Sequence, residues 1–101
     1  MNNEIHANDI GTRFLITVQD NGEVVDISNS VSLTLIFRKP SDNLIYRPGT
    51  IYASGTDGKM YYDTIAGDLD ETGNWKLQGR VGLPSGTYYT DIHTFKVHCN
   101  L

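Results

Sequence analysis

The sequence predicts an all-β fold, an antiparallel β-sandwich of about seven strands. Three observations predict it. Turn signals recur at short intervals: Asp20-Asn21-Gly22, Lys39-Pro40-Ser41-Asp42-Asn43, Arg47-Pro48-Gly49, Ser54-Gly55-Thr56-Asp57-Gly58, Asp70-Glu71-Thr72-Gly73 and Pro84-Ser85-Gly86. In such runs glycine supplies positive φ, proline presets φ, and Asn or Asp bonds its own backbone nearby. Between the turns apolar residues recur with a period of two, as in strands with one face covered by a second sheet. No stretch carries a convincing helical stripe, and Tyr62 to Leu69 has room for one helical turn and no more.

The elements follow in order. The first strand is expected over 12–19, where Phe14, Ile16 and Val18 alternate with Arg13, Thr17 and Gln19, and Leu15 breaks the pattern. A short strand at 24–27 comes next. Over 31–38, Val31, Leu33, Leu35 and Phe37 alternate with Ser32, Thr34 and Arg38, with Ile36 as the exception. The fourth strand is expected at 44–47 or at 50–53, and the fifth at 59–64. Over 74–83, Trp75, Leu77 and Val81 alternate with Asn74, Lys76, Gln78 and Arg80. The last, 87–99, sets Phe95, Val97 and Cys99 against Thr94, Lys96 and His98, with a break or bulge near Thr90.

The expected core is therefore Phe14, Ile16, Val18, Val31, Leu33, Leu35, Phe37, Trp75, Leu77, Val81, Phe95 and Val97. Pro40 and Pro84 end strands because proline offers the ladder no donor. Residues 1–9 are polar and poor in strand formers. They are expected to be an N-terminal arm, flexible or ordered only against a neighbour, leaving 10–101 as the sandwich.

The chain has 101 residues, 39% hydrophobic and 20% charged, which suits one folded domain better than disorder. Met1 is read as the start of a complete product. Apolar runs such as Phe14-Leu15-Ile16 are far shorter than the ~20 residues of a membrane-spanning helix. Met1 to Asn8 lacks the basic start and apolar block of a secretory signal. A net charge of −4 argues against a nucleic-acid partner. Arg38, Lys39 and Arg47 lie scattered among acids and turns and mark no basic patch. The single cysteine, Cys99, excludes an intrachain disulfide and a cysteine-rich zinc site, and is expected to be a small buried thiol near a strand end.

Candidate chemistry is sparse. His93 and His98 are an odd number of residues apart and point to opposite faces of a regular strand, so a shared metal is not expected. A site joining His6 to either requires the arm to fold back. Asp68 and Asp70 have the alternate spacing of calcium ligands but lack the further oxygen ligands of a calcium loop. No nucleophile elbow, phosphate-binding glycine loop or His-Glu-x-x-His occurs. The expectation is a protein without catalytic residues, cofactor or metal. The notable surplus is tyrosine: Tyr46, Tyr52, Tyr61, Tyr62, Tyr88 and Tyr89. Exposed tyrosines give large contact area at low entropy cost, and Tyr46, Tyr52, Tyr61 and Tyr88 are the candidates for a protein interface.

Several segments, taken in order, carry a resemblance. They are Asp9-Ile10-Gly11-Thr12, Val25-Asp26-Ile27-Ser28, and Val31-x-Leu33-x-Leu35-x-Phe37-Arg38-Lys39-Pro40. Next come Thr56-Asp57-Gly58-Lys59-Met60-Tyr61-Tyr62, then Gly67-Asp68-Leu69-Asp70-Glu71-Thr72-Gly73-Asn74-Trp75-Lys76-Leu77-Gln78, and last Phe95-Lys96-Val97. Over about residues 9 to 98 the chain resembles the immunoglobulin-like domain at the N-terminus of tailed-phage baseplate upper proteins, and short single-domain relatives among phage structural proteins. The Gly67 to Gln78 block is the most specific part. Antibody-type domains place a Tyr at the corresponding corner, bonded back to the chain; here Trp75 is expected to fill that place, its indole N–H seeking a carbonyl.

The resemblance implies a non-catalytic virion component, assembled in the host cytoplasm. Its partners would be the major capsid protein, tail or baseplate subunits, or further copies of itself. A chain that ends at Leu101, where the baseplate proteins continue, also suits a capsid cement or decoration protein. A carbohydrate-binding module for host-surface glycan is the alternative, and it requires two or three tyrosines coplanar on one sheet face. A small hydrolase is a third, and it requires a concave site joining a histidine to carboxylates.

Overall fold

The computed structural model describes residues 5–20 and 22–99. Met1 to Glu4 of the expected arm, Asn21 of the first turn, and Asn100 and Leu101 lie outside them. The described regular structure is all β, with no helix; of Tyr62 to Leu69, the first two residues end a strand and Ala66 to Leu69 form a turn. The described residues form eleven strands where about seven were expected: β1 (Ile5–His6), β2 (Arg13–Thr17), β3 (Gln19–Asp20), β4 (Glu23–Val24), β5 (Ser32–Arg38), β6 (Leu44–Pro48), β7 (Thr50–Ile51), β8 (Lys59–Asp63), β9 (Gly73–Leu83), β10 (Gly86–Tyr89) and β11 (His93–His98). The excess is mostly two-residue pieces. A six-stranded sheet runs β1-β11-β9-β5-β6, with β10 also on β9. A three-stranded sheet runs β2-β8-β7, and β3 and β4 form a ribbon. The large sheet is mixed, because β1 joins β11 in parallel, Ile5 opposite Val97.

Three departures from the sequence reading have local causes. The expected arm folds back in part, as β1, and Ala7 N–H extends that pairing to the His98 carbonyl at 2.8 Å. The expected strand at 24–27 stops at Val24, because the Asp26 carboxylate accepts the Ser28 N–H at 2.9 Å and closes a turn. That turn drops Ile27 into the core. The alternatives 44–47 and 50–53 are both strands, β6 and β7, on different sheets. The chain changes sheet at Gly49, after Pro48 has ended β6. A Cβ there would sit 3.0 Å from Leu35 Cδ1 and 3.2 Å from Met60 Sδ, so only glycine passes comfortably between the layers.

The last strand is broken at Thr90. Tyr89 faces Arg80 and His93 faces Leu77, so Thr90, Asp91 and Ile92 stand against Gln78 and Gly79, a one-residue bulge. Buried Thr90 replaces the missing ladder. Its N–H donates to the Gly79 carbonyl (2.9 Å), its hydroxyl accepts the Gly79 N–H (2.8 Å), and its carbonyl accepts Gln78 Nε2 (3.0 Å).

The two main sheets face each other across an aromatic core. Phe14 of β2 meets Phe37 of β5 edge-on (centroids 5.3 Å) and Phe95 of β11 (4.8 Å), and Trp75 of β9 stacks on Phe95 (5.8 Å). Trp75 is fully buried, and its Nε1–H donates to the Glu71 carbonyl at 3.1 Å. The expected core residues Phe14, Ile16, Val18, Leu35, Phe37, Leu77, Val81 and Val97 are buried too, while Leu33 and Phe95 pack against them half-buried. Ile27, Met60 and Leu69 join this core without having been expected there.

Two expectations are corrected. Val31 is 74% exposed, because it stands past the last rung of β5 over an open groove beside Thr50 and Ile51. Cys99 is exposed, because it lies one residue beyond β11, where alternation no longer directs side chains.

Gly79 and Trp75 give two tests of the packing. A Cβ at Gly79 would lie 2.5 Å from both Ile16 Cδ1 and Met60 Cε of the opposite sheet. Gly79→Ala should therefore destabilise the chain by about 1–3 kcal/mol in chemical denaturation. Trp75→Ala should cost about 3–5 kcal/mol, read the same way.

Candidate functional site

The most organised polar cluster surrounds Asp68, in the turn between β8 and β9. Asp68 is 3% exposed. Its Oδ1 accepts Arg47 Nε at 2.9 Å, and its Oδ2 accepts the Ile65 N–H at 2.9 Å and the Tyr62 hydroxyl. Burial pushes the Asp68 carboxyl up, but these donors outweigh it and hold the group below the ordinary aspartate range. Burial and the bond to Asp68 push the Tyr62 hydroxyl up to about 12. Nearby, Lys39 Nζ donates to Asp70 Oδ1 at 2.8 Å, and the Glu71 carboxylate accepts the Ser41 hydroxyl at 2.9 Å. Asp68 and Asp70 are thus each held by a cation of this chain. This cluster is a structural corner.

The candidate interface tyrosines fall in three places. Tyr52 and Tyr61 lie on the outer face of the three-stranded sheet. Their centroids are 6.2 Å apart, with planes at 87°. Arg13 covers Tyr61 at 4.1 Å from its centroid, and Arg13 also holds Asp63 through Nε (2.8 Å) and Nη2 (3.0 Å). That face satisfies itself. Tyr88 is half-buried near the β9–β10 turn, its hydroxyl 3.3 Å from Ser85 Oγ. Tyr46 stands on the outer face of the six-stranded sheet, 52% exposed. These four rings form no flat platform of the kind a glycan module requires.

The outer face of the six-stranded sheet carries what the sequence reading missed. Tyr46 faces Ile36 across the β5–β6 ladder, and Leu44 faces Arg38. Ile36, Leu44, Tyr46 and Ile92, with Arg38, Lys76 and Gln78, line a shallow groove of about 250 Å³. Ile92 and Tyr89 are 60% and 55% exposed. Arg38 and Lys76 are exposed and directly opposite each other. The basic patch not expected from sequence is thus present, assembled from three strands. Alternation of Lys76, Gln78 and Arg80 was its only visible sign.

A second groove, of about 430 Å³, lies between the free edge of β2 and the bulge, lined by Phe14 to Thr17, Asp91, His93 and Phe95 among others. His6 reaches His98, centroids 5.8 Å apart, now that the arm folds back. Among the described residues no three His, Cys, Asp or Glu side chains are grouped to hold a metal. No family model matches this chain, and neither does any curated protein or solved structure.

The Asp68 corner predicts the pH limits of stability. Tyr62 has a folded pKa of about 12, above the ordinary tyrosine value of 10.0, so its contribution is complete below pH 10 and is lost as the pH rises toward 12. Asp68 has a folded pKa below the unfolded value, so its contribution is complete above the aspartate range and is lost as the pH falls through the folded pKa. Ultraviolet titration of the folded chain should show one tyrosine ionising late, and Tyr62→Phe should remove that step.

Proposed function

We propose that this chain is a non-catalytic structural protein of a tailed-phage virion, an immunoglobulin-like sandwich that docks on neighbouring subunits as a capsid cement or decoration protein or as a tail or baseplate component. The observation that carries the reading is how the segments of the resemblance meet. Three of them lie far apart in sequence and interlock at one corner. From the Met60-Tyr61-Tyr62 segment, Tyr62 donates to Asp68 of the Gly67 to Gln78 block. From the Arg38-Lys39-Pro40 segment, Lys39 bonds Asp70 of the same block. The Pro40 ring lies 3.1 Å from where a Cβ on Gly73 would stand, and Gly73 has a φ of 124°. Trp75 donates to the Glu71 carbonyl within the block. The motif is a set of mutual contacts rather than a chance run of turn residues.

Strand order supports the immunoglobulin-like part. The order β2-β8-β7 against β11-β9-β5 matches the order of strands B, E and D against G, F and C in such a sandwich. Trp75 near the start of β9, bonded to a carbonyl four residues upstream, takes the part of the tyrosine corner of such domains. In a symmetric particle, modest contacts made by such a domain are multiplied by avidity. Protein mass spectrometry of purified tailed particles that encode the chain should recover it in fixed stoichiometry, cross-linked to a capsid or a tail subunit. Its complete absence from intact particles would defeat the reading.

A further inference from the structure

Eight Lys and Arg side chains stand against twelve carboxylates in this chain. Three of the cations have carboxylate partners: Arg13 with Asp63, Lys39 with Asp70, and Arg47 with Asp68. Arg38, Lys59, Lys76, Arg80 and Lys96 have none among the described residues. All of these except Lys59 lie on the outer face of the six-stranded sheet, where alternation with buried Phe37, Trp75, Leu77, Val81 and Val97 directs them.

Register fixes the pattern. Arg38 is opposite Lys76, Arg80 lies between Thr34 and Tyr89, and Lys96 is opposite Asn74. Between the Arg38–Lys76 rung and the Arg80 rung runs an apolar one, Tyr46 beside Ile36, with Ile92 beyond Gln78. Among the described residues no strand position on this face holds a carboxylate. Like charges directly opposite each other destabilise a sheet. In a chain rich in acids, one carboxylate at either position would remove that cost, yet this face carries only cations around its groove. The opposite outer face, where Arg13, Asp63 and Tyr61 satisfy one another, shows the contrast.

We propose that the outer face of the six-stranded sheet is a docking surface for an acidic surface of another protein. Its carboxylates meet Arg38, Lys76, Arg80 and Lys96 around an apolar side chain seated against Ile36, Leu44, Tyr46 and Ile92. Charge complementarity selects this occupant. Two copies of the chain meeting through this face would set cations against cations, which costs binding energy. A nucleic-acid strand calls for a continuous track of cations along its phosphates, whereas here Arg38 and Lys76 border an apolar groove and Arg80 and Lys96 stand on other rungs of the sheet. The proposal rests on the docking reading above only in treating the face as a contact surface. It does not depend on the particle.

The test uses the whole chain, isotope-labelled for NMR, with a random copolymer of glutamate and tyrosine as the probe. Amide shifts are expected on β5, β6, β9 and around Ile92. Lys76→Glu should weaken binding about tenfold, and Lys59→Glu, on the other sheet, should change it by less than about twofold. Arg38→Glu should weaken binding while raising the midpoint of thermal unfolding, because it sets a carboxylate opposite Lys76. That opposite movement separates loss of a docking charge from loss of fold. The proposal is overturned if the copolymer does not bind, if the shifts map elsewhere, or if Arg38→Glu binds as tightly as the parent. It is equally overturned if oligothymidylate displaces the copolymer from this face at lower concentration, or if the chain self-associates through it. The particle composition experiment and this one fail independently of each other.

Discussion

The fold depends on enclosing one indole. Trp75 is fully buried, stacked on Phe95, and tied by its N–H to the Glu71 carbonyl at 3.1 Å. A lone exposed cysteine means no disulfide joins the sheets within this chain. Packing must therefore hold the sheets together without a covalent bridge. A buried indole N–H without a partner would cost more than the bond itself gains, so the chain must turn at Asp70 to Gly73 to bring a carbonyl within reach. The position of β9, against which β5, β10 and β11 all pair, follows from that turn.

Around this apolar centre the polar groups fall into two kinds. Those at the Asp68 corner are mutually bonded and matched in charge around a buried carboxylate, as a buried charge requires. Those on the outer face of the six-stranded sheet are exposed, unmatched and arranged in rungs between apolar side chains. The first kind specifies the fold. The second adds nothing to it, and at the Arg38–Lys76 rung it works against it. The same division separates the tyrosines: Tyr62 is tied to Asp68, while Tyr46 stands open over the groove.

Much of this was legible in the sequence, and the limits were physical. A period of two marks which side of a strand is apolar, and it singled out Phe14, Leu35, Phe37, Trp75, Leu77 and Val97, all of which lie in the core. Periodicity does not say which sheet a strand joins. For that reason 44–47 and 50–53 looked like rivals when they are β6 and β7 on opposite layers. Ile27 and Leu69 enter the core from loops, where no alternation announces them. Val31 fits the alternation but stands beyond the end of the facing sheet. The cationic face was hidden for the same reason. Arg38, Lys76 and Lys96 become neighbours only through pairings between distant segments.

The parallel pairing of β1 with β11 has a consequence for how the chain is made. Ile5 and His6 have their ladder partners at Val97 and His98, so β1 cannot pair until β11 has been made. Until then the neighbouring edge is unavailable, and the large sheet is completed only once β11 has emerged. Closure of this sheet edge is therefore expected to be a late event in folding. Such late closure of non-local pairs is intrinsically slow, and the nascent chain spends that interval with Trp75 and its neighbours uncovered.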